Sequence, residues 1–382
     1  MRRTAEIVII GGGISGVAIG YFLTKHGATD VVILERDYLA AGATGRCGAG
    51  IRQQWGSELN CIMSKYSCEF FENAGEELKT EHDIEFKQGG YMMLIATDKE
   101  LDQSMKNIKT QNKLGINSRI LSLEEARKIA PLLDTSELLA AAYYERDGHL
   151  NPFHTTQAFA DAFKRQGGEI NTGVNVTDVI IEGGRVTGVE TSAGRIDAPV
   201  VVIAAGGYSQ VIAEKAGIKM PIYSERHNIL VTEPVEPCLD TMLMGFSLNL
   251  YCQQTPHGSF IMGRTCDFQP KDCRVTADSS FLENMSETIT KLLPALKNLR
   301  VLRQWAGLYN MTPDRHMVYD RFEGIEGFYV AAGFSGHGFM MAPATGRCMT
   351  EMILGMSPTL PWHRFNLARF NDGALLVEPS VV

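Results

Sequence analysis

Gly11-Gly12-Gly13-Ile14-Ser15-Gly16 follows directly on the apolar run Ile7-Val8-Ile9-Ile10, and this junction constrains the fold more than any other stretch. Four consecutive apolar residues without alternation describe a strand covered on both faces, as in a parallel sheet. Residues 14–26 read as a helix and 31–34 as a second buried strand. In such a strand–turn–helix, Gly11 permits the tight turn, Gly13 lets the backbone approach a pyrophosphate, and Gly16 lets helix and strand pack closely. Ile14 and Ser15 open a helix whose free N–H groups and dipole favour phosphate. Glu35, followed by Arg36, ends the second strand nineteen residues after Gly16, where a carboxylate can hold ribose hydroxyls and disfavours a 2′-phosphate.

The pattern of buried strands returns at 200–207 and 328–333, so one sheet is visited repeatedly. Residues 57–82, 98–114, 122–130, 154–166, 276–293 and 343–354 read as helices, with Ser122 and Glu125 spaced as a capping box. Phe86 to Ile95 alternates as a strand, and Gly183-Gly184 marks a hairpin within 170–189. The expected fold is α/β: a Rossmann-like dinucleotide-binding domain from 1–82, 149–215 and 321–382, with a discontinuous substrate domain from 83–148 and 216–320 on a largely antiparallel sheet.

At 382 residues the chain can bury a sizeable core, and its net charge of −8 gives no field that would favour nucleic acid. The eight cysteines (47, 61, 68, 238, 252, 266, 273, 348) form no C-x-x-C pair, so no metal or iron–sulfur site is expected, and they are expected to pack as small hydrophobes. No apolar stretch reaches the roughly 18 residues of a membrane helix. A cytoplasmic chain is expected, with any membrane association peripheral and through a partner.

Two further glycine-rich segments, Gly42-Ala43-Thr44-Gly45-Arg46-Cys47-Gly48-Ala49-Gly50-Ile51-Arg52 and Gly333-Phe334-Ser335-Gly336-His337-Gly338-Phe339-Met340, accompany the fingerprint. The first is too glycine-rich for a helix. The second precedes a helix and can bring N–H groups to an anionic ring edge. With Arg303-Gln304-Trp305-Ala306-Gly307-Leu308 and Thr312-Pro313-Asp314, these segments resemble the D-amino acid oxidase-like flavoproteins. Within that family they look most like β subunits of heteromeric sarcosine oxidase and dye-linked proline or hydroxyproline dehydrogenases.

The resemblance implies FAD, with Gly11, Gly13 and Gly16 at its pyrophosphate, Glu35 at its ribose, and Val176, Ala205 and Gly206 beside its adenosine. It implies that Ala43, Thr44, Gly50 and Ile51 run past the flavin, and that Gly336, Gly338, Phe339 and Met340 cover its pyrimidine edge. Relatives tether flavin through a cysteine or histidine at places here held by Gly307, Arg46 and Pro152, so the FAD is expected to be non-covalent. Met340 stands where relatives carry a lysine, which favours the proline-type branch over sarcosine.

Oxidation of an amino acid at the flavin needs a carboxylate clamp, and arginine suits it through bidentate hydrogen bonds. Arg52, just past the flavin loop, is the candidate, and the family's carboxylate-binding arginine falls there. His227 could bind substrate or take its ammonium proton. Tyr251 and Gln254 lie three apart on one strand and so face opposite sides, and Tyr251 is the first choice for contact with substrate. Ile261 stands where oxygen-using relatives hold a lysine, so oxygen should react slowly. The expected outlet for electrons is an α subunit with a second nucleotide-binding fold, with FMN at the junction and a small iron–sulfur subunit as further partners. The alternatives are a one-chain glycine, sarcosine or D-amino acid oxidase that releases peroxide, and a non-catalytic electron-transfer subunit.

Overall fold

The computed structural model describes residues 2–265 and 270–380. Its centre is a six-stranded sheet in the spatial order Val318–Arg321, Phe328–Ala332, Val200–Ile203, β1 (Ile7–Ile10), β2 (Val31–Glu35) and Glu169–Thr172. All neighbours are parallel except the first pair, which is antiparallel. Every residue of β1 is buried, as a strand without polar alternation requires. Helix α1 (Ile14–Lys25) is buried from Ile14 almost continuously to Thr24. It packs against β1, β2 and the helices Pro152–Arg165 and Ala342–Ile353, which explains why it is apolar on all sides.

The second large sheet has eight strands in the order Val301–Met311, Tyr223–Pro234, Ser259–Arg264, Leu250–Gln254, Met242–Gly245, Tyr91–Ile95, Ala140–Tyr144 and Arg119–Leu121. It is antiparallel except where Met242–Gly245 runs parallel to Tyr91–Ile95. A separate pair joins β3 (Gly50–Ile51) to Gly148–His149. The strands of the two large sheets fall into the two proposed sets of segments with one exception. Val318–Arg321, which straddles the expected boundary after residue 320, pairs in the six-stranded sheet.

Local departures have local causes. The helix expected over 57–82 is α2 (Glu58–Glu72), then a break at Asn73, then Ala74–Leu78, ending at left-handed Lys79. The strand expected from Phe86 begins at Tyr91, because Gly90 takes φ +82 and Gly89 packs on the Asp240 carbonyl. The helix expected from 276 starts at Phe281. Within the first glycine-rich loop, Thr44–Arg46 forms one 3₁₀ turn. The capping box forms: Glu125 N donates to Ser122 Oγ (3.3 Å) and Ser122 N to the Glu125 carboxylate (2.8 Å). Cys61, Cys68, Cys252 and Cys348 pack as buried hydrophobes, whereas Cys238 is exposed, Cys47 and Cys273 are half-buried, and Cys266 lies outside the described residues. Among the described residues no helix is long and apolar enough to cross a membrane, and no group of His, Cys, Asp and Glu could hold a metal.

Candidate active site

A cavity of about 840 Å³ runs from the turn after β1 to the wall of the eight-stranded sheet, within the roughly 300–1,000 Å³ of small-molecule and cofactor sites. One end is built by the fingerprint. Gly11 has φ +117, and a Cβ there would lie 2.5 Å from the Ala204 carbonyl oxygen. A Cβ on Gly16 would lie 1.9 Å from the Gly11 oxygen, so only glycine lets α1 rest on its turn. A Cβ on Gly13, by contrast, would meet only Thr44 Oγ1 at 3.2 Å and would otherwise project into open space. Helix α1 begins at Gly13 with no side-chain cap, and Ile14 N donates to Thr44 Oγ1 at 3.1 Å. This uncapped helix start at an open glycine is a cradle for a diphosphate.

Glu35 accepts N–H from Gly12 (2.7 Å) and Asp37 (2.8 Å), which fixes its carboxylate at the cavity rim. Arg36 lies over the Tyr208 ring at 4.5 Å, and Val176, Ala205 and Gly206 line the same end. Ala43, Thr44 and Gly50 line the middle, and Gly336, Gly338, Phe339 and Met340 the far side. Two expected contacts differ. Gly16 lies behind the cavity wall, where it serves packing. Ile51 is fully buried in the core, because along β3 the side chains alternate and only Gly50 turns to the cavity.

The other end gathers Arg52, Tyr91, His227, Met242, Met244, Phe246, Tyr251, Tyr309 and Met340. Arg52 is 3% exposed. Its guanidinium lies 3.7 Å over the Trp55 ring, and Nη1 donates to the Gln54 carbonyl at 2.8 Å. Its Nε has no partner, and among the described residues it makes no ion pair. Burial depresses its pKa, while Tyr91, Glu378 and Asp147 act against this. A buried cation with unused donors in a cavity wall is built to receive an anion.

Asp147, also fully buried, holds the chain beside it. It accepts from Gln53 N (2.9 Å), Gln53 Nε2 (3.3 Å) and Gln54 Nε2 (3.0 Å). Burial raises its pKa to about 7 against these bonds and the pull of Arg52.

His227 stacks on Tyr309 with ring centroids 3.5 Å apart. Burial lowers its pKa to about 4, so it is neutral at physiological pH but a weak base there. His337 is edge-on to Trp55 at 4.6 Å and pushed down to about 3, chiefly by burial. Tyr251 lines the cavity with its hydroxyl held protonated by burial. Gln254 points away and holds the turn at Cys238 and Leu239 (2.7 and 3.0 Å), as opposite strand faces demand. Ile261 is absent from the cavity wall; the residues of its strand that lie there are Gly263, whose missing side chain admits the Tyr251 ring, and Arg264, whose Nη1 donates to the Asn284 carbonyl (2.8 Å) and to Thr288 Oγ1 (3.0 Å).

Asp147, Trp55 and Tyr309 were not anticipated. Trp55 stands three residues after Arg52 and Tyr309 two after Gly307, so alternation and proximity were usable signals for these two. Asp147 carries no such mark.

The profile of the FAD dependent oxidoreductase family, DAO, matches residues 6–352. The chain belongs to this family. A sarcosine oxidase subunit beta from Rhodobacter capsulatus is 28% identical over 384 residues, covering 99% of this chain and 91% of the relative. The corresponding subunit from an Arthrobacter species is 29% identical, with 99% and 94% covered. The crystal structure of L-proline dehydrogenase from P. horikoshii superposes with a TM-score of 0.93 at 38% identity, covering 98% of this chain and 99% of that one. Glycine oxidase from Geobacillus kaustophilus shares the fold, with a TM-score of 0.88 at 22% identity.

Proposed function

We propose that this chain oxidises an amino acid at its C–N bond with non-covalent FAD, acting on a substrate of proline, hydroxyproline or sarcosine type as the catalytic β subunit of a heteromeric dehydrogenase. The observation that carries this reading is Arg52: a buried guanidinium with an orphaned Nε and no ion pair, set in the wall of a cavity whose other end fits a dinucleotide. Relatives named sarcosine oxidase subunit beta and L-proline dehydrogenase support the substrate class and the division into subunits.

The cradle at Gly11, Gly13, Ile14 and Ser15 would hold the FAD diphosphate, Glu35 the ribose, and the 336–340 loop the flavin. Flavin held there would supply a hydride acceptor for the carbon that bears the amine. Everything else is positioning by this chain. Arg52 grips the carboxylate in two parallel hydrogen bonds, which fixes the orientation of the substrate. Tyr91, Met242, Met244, Phe246 and Met340 give an apolar surround suited to an uncharged side chain or ring. Tyr251 and Tyr309 keep neutral hydroxyls there. His227, whose pKa burial lowers to about 4, is neutral and too weak a base to take the substrate's proton at neutral pH, so it serves binding and the substrate amine must arrive neutral or shed its proton to water.

Ile261, at the place where the resemblance sets a lysine in oxygen-using relatives, carries no charge, and this supports a slow reaction with oxygen. Electrons then leave through another protein: an α subunit with its own nucleotide-binding fold, FMN at the junction, and a small iron–sulfur subunit complete this reading.

The test is anaerobic bleaching of the flavin absorbance by sarcosine, L-proline, D-proline, hydroxyprolines and glycine. Bleaching by one of the secondary amino acids is expected, followed by slow reoxidation in air and rapid reduction of an artificial dye. No bleaching by any of them would overturn the catalytic assignment, and reoxidation at turnover speed with stoichiometric peroxide would replace the dehydrogenase with an oxidase.

A further inference from the structure

Residues 366–380, the last described segment, are pinned to two distant loops. Arg369 donates to Asp314 from Nε (2.7 Å) and Nη2 (3.0 Å), and to the His316 and Met317 carbonyls at 3.0 Å each. Leu376 N donates to the same carboxylate at 3.2 Å. Further along, the buried carboxylate of Glu378 accepts from Gly56 N (2.7 Å), Ser57 N (3.2 Å), Ser57 Oγ (2.8 Å) and Asn60 Nδ2 (2.9 Å). Ser380 N adds a bond at 3.0 Å, and the Ser380 hydroxyl another. Burial alone would push this carboxyl up, but the donors from Ser380, Ser57 and Asn60 outweigh it and hold the pKa below its usual value. Glu378 is therefore an anion at neutral pH.

Gly56 and Ser57 belong to the turn between β3 and α2, the turn that carries Arg52, and Asn60 lies in the first turn of α2. Gly56 is part of the fit: a Cβ there would stand 2.8 Å from Asn107 Oδ1, 2.9 Å from Pro379 and 3.0 Å from Glu378 Oε1. One residue earlier, Trp55 is fully buried and donates its indole N–H to the Arg52 carbonyl at 3.0 Å. The Arg52 guanidinium lies over the Trp55 ring, donates to the Gln54 carbonyl and has the Phe246 ring 5.8 Å away. The first two contacts belong to the same turn, so the placement of the fork depends on residues 52–57.

We propose that Glu378 is a positioning residue for the substrate-carboxylate site. Through Gly56 and Ser57 it sets the turn 52–57, and with it the plane and depth of the Arg52 fork, without touching substrate or cofactor. This rests on the reading of Arg52 as the carboxylate clamp. A clamp displaced by a fraction of an ångström loses one of its two parallel bonds, so the effect falls on carboxylate affinity rather than on flavin binding.

The experiment uses the holoenzyme and pyrrole-2-carboxylate, a planar carboxylate that does not reduce flavin, with Kd read from the shift in flavin absorbance. Glu378→Gln, Arg52→Lys and the double variant are compared with wild type. The two single variants are each expected to raise Kd by about ten-fold or more. Glu378→Gln should keep its full flavin content and change kcat at saturating substrate by less than about two-fold, while KM rises in step with Kd. The double variant should bind no more weakly than Arg52→Lys alone, because Glu378 acts through Arg52. An unchanged Kd in Arg52→Lys removes the clamp reading and this inference with it. A raised Kd in Arg52→Lys with an unchanged Kd in Glu378→Gln, or fully multiplicative effects in the double variant, overturns the inference alone. Should Glu378→Gln not hold flavin, Gly56→Ala decides: its Cβ crowds the same carboxylate, a raised Kd is expected, and an unchanged one refutes the positioning role.

Discussion

The two ends of the cavity are held by different kinds of chemistry. The dinucleotide end is made of backbone: glycines without side chains, an uncapped helix start, and one glutamate that itself binds backbone N–H groups. The substrate end is made of side chains drawn from strands and turns far apart in the chain, with a buried cation whose donors are left open. A backbone site tolerates almost no added atom but asks little of distant residues. A side-chain site tolerates changes of atom but depends on everything that aims the side chain.

The sharpest way to break this comparison is Gly16→Ala. Its methyl would fall 1.9 Å from the Gly11 carbonyl oxygen, which cannot move without lifting α1 from β1. Purified protein is expected to contain little or no flavin, and a normal yellow holoenzyme would show that the cradle is not backbone-limited. Next comes Arg52→Lys, which keeps the charge and loses the fork. A rise in KM of roughly ten- to hundred-fold is expected with flavin content unchanged, and unaltered kinetics would move the clamp elsewhere.

A smaller effect is expected from Asp147. Its folded pKa of about 7 lies above the ordinary carboxylate value of 3.8, so the folded chain binds the proton more tightly than the unfolded one. Stability from this group is therefore greatest at low pH and falls as pH rises from about 4 to about 7. The Tm of Asp147→Asn minus that of wild type should increase between pH 5 and pH 8, whatever its offset, and a constant difference would show that Asp147 is ionised throughout. The smallest effect is none: acid precipitation should release all flavin into the supernatant, because Gly307, Arg46 and Pro152 stand where relatives attach it. Colour left in the pellet would place a covalent bond in this chain.

The same contrast explains what the sequence made legible. β1, α1, β2 and Glu35 are contiguous, and each position is required by the geometry of its immediate neighbours, so motif reasoning reached them. Arg52 and Met340 were reached by resemblance, His227 and Tyr251 from side-chain chemistry and strand position, and all four line the cavity. The side chain of Ile51 is in the core, because the Gly-rich loop holds a two-residue strand whose alternation the sequence does not reveal. Ile261 does not line the cavity, whereas Gly263 and Arg264 of its strand do, and nothing local shows which residues of an apolar strand face a cavity made by other strands. Asp147 and Glu378 were invisible for a further reason: a carboxylate in a polar stretch looks like a solvated one until the chain folds around it.

One consequence concerns time. Glu378 meets Gly56 across 322 residues of sequence, whereas the glycine turn needs only β1, α1 and β2 to take shape, and Val200–Ile203 to close its floor. During synthesis from the N-terminus, domains take shape as their parts emerge. The arginine turn cannot be fastened until residue 378 has left the ribosome, long after the strands beneath the glycine turn are out. A chain cut short by its last ten residues would leave the phosphate cradle with every residue it uses and the arginine turn without its fastening, so truncation would separate the two halves of the site.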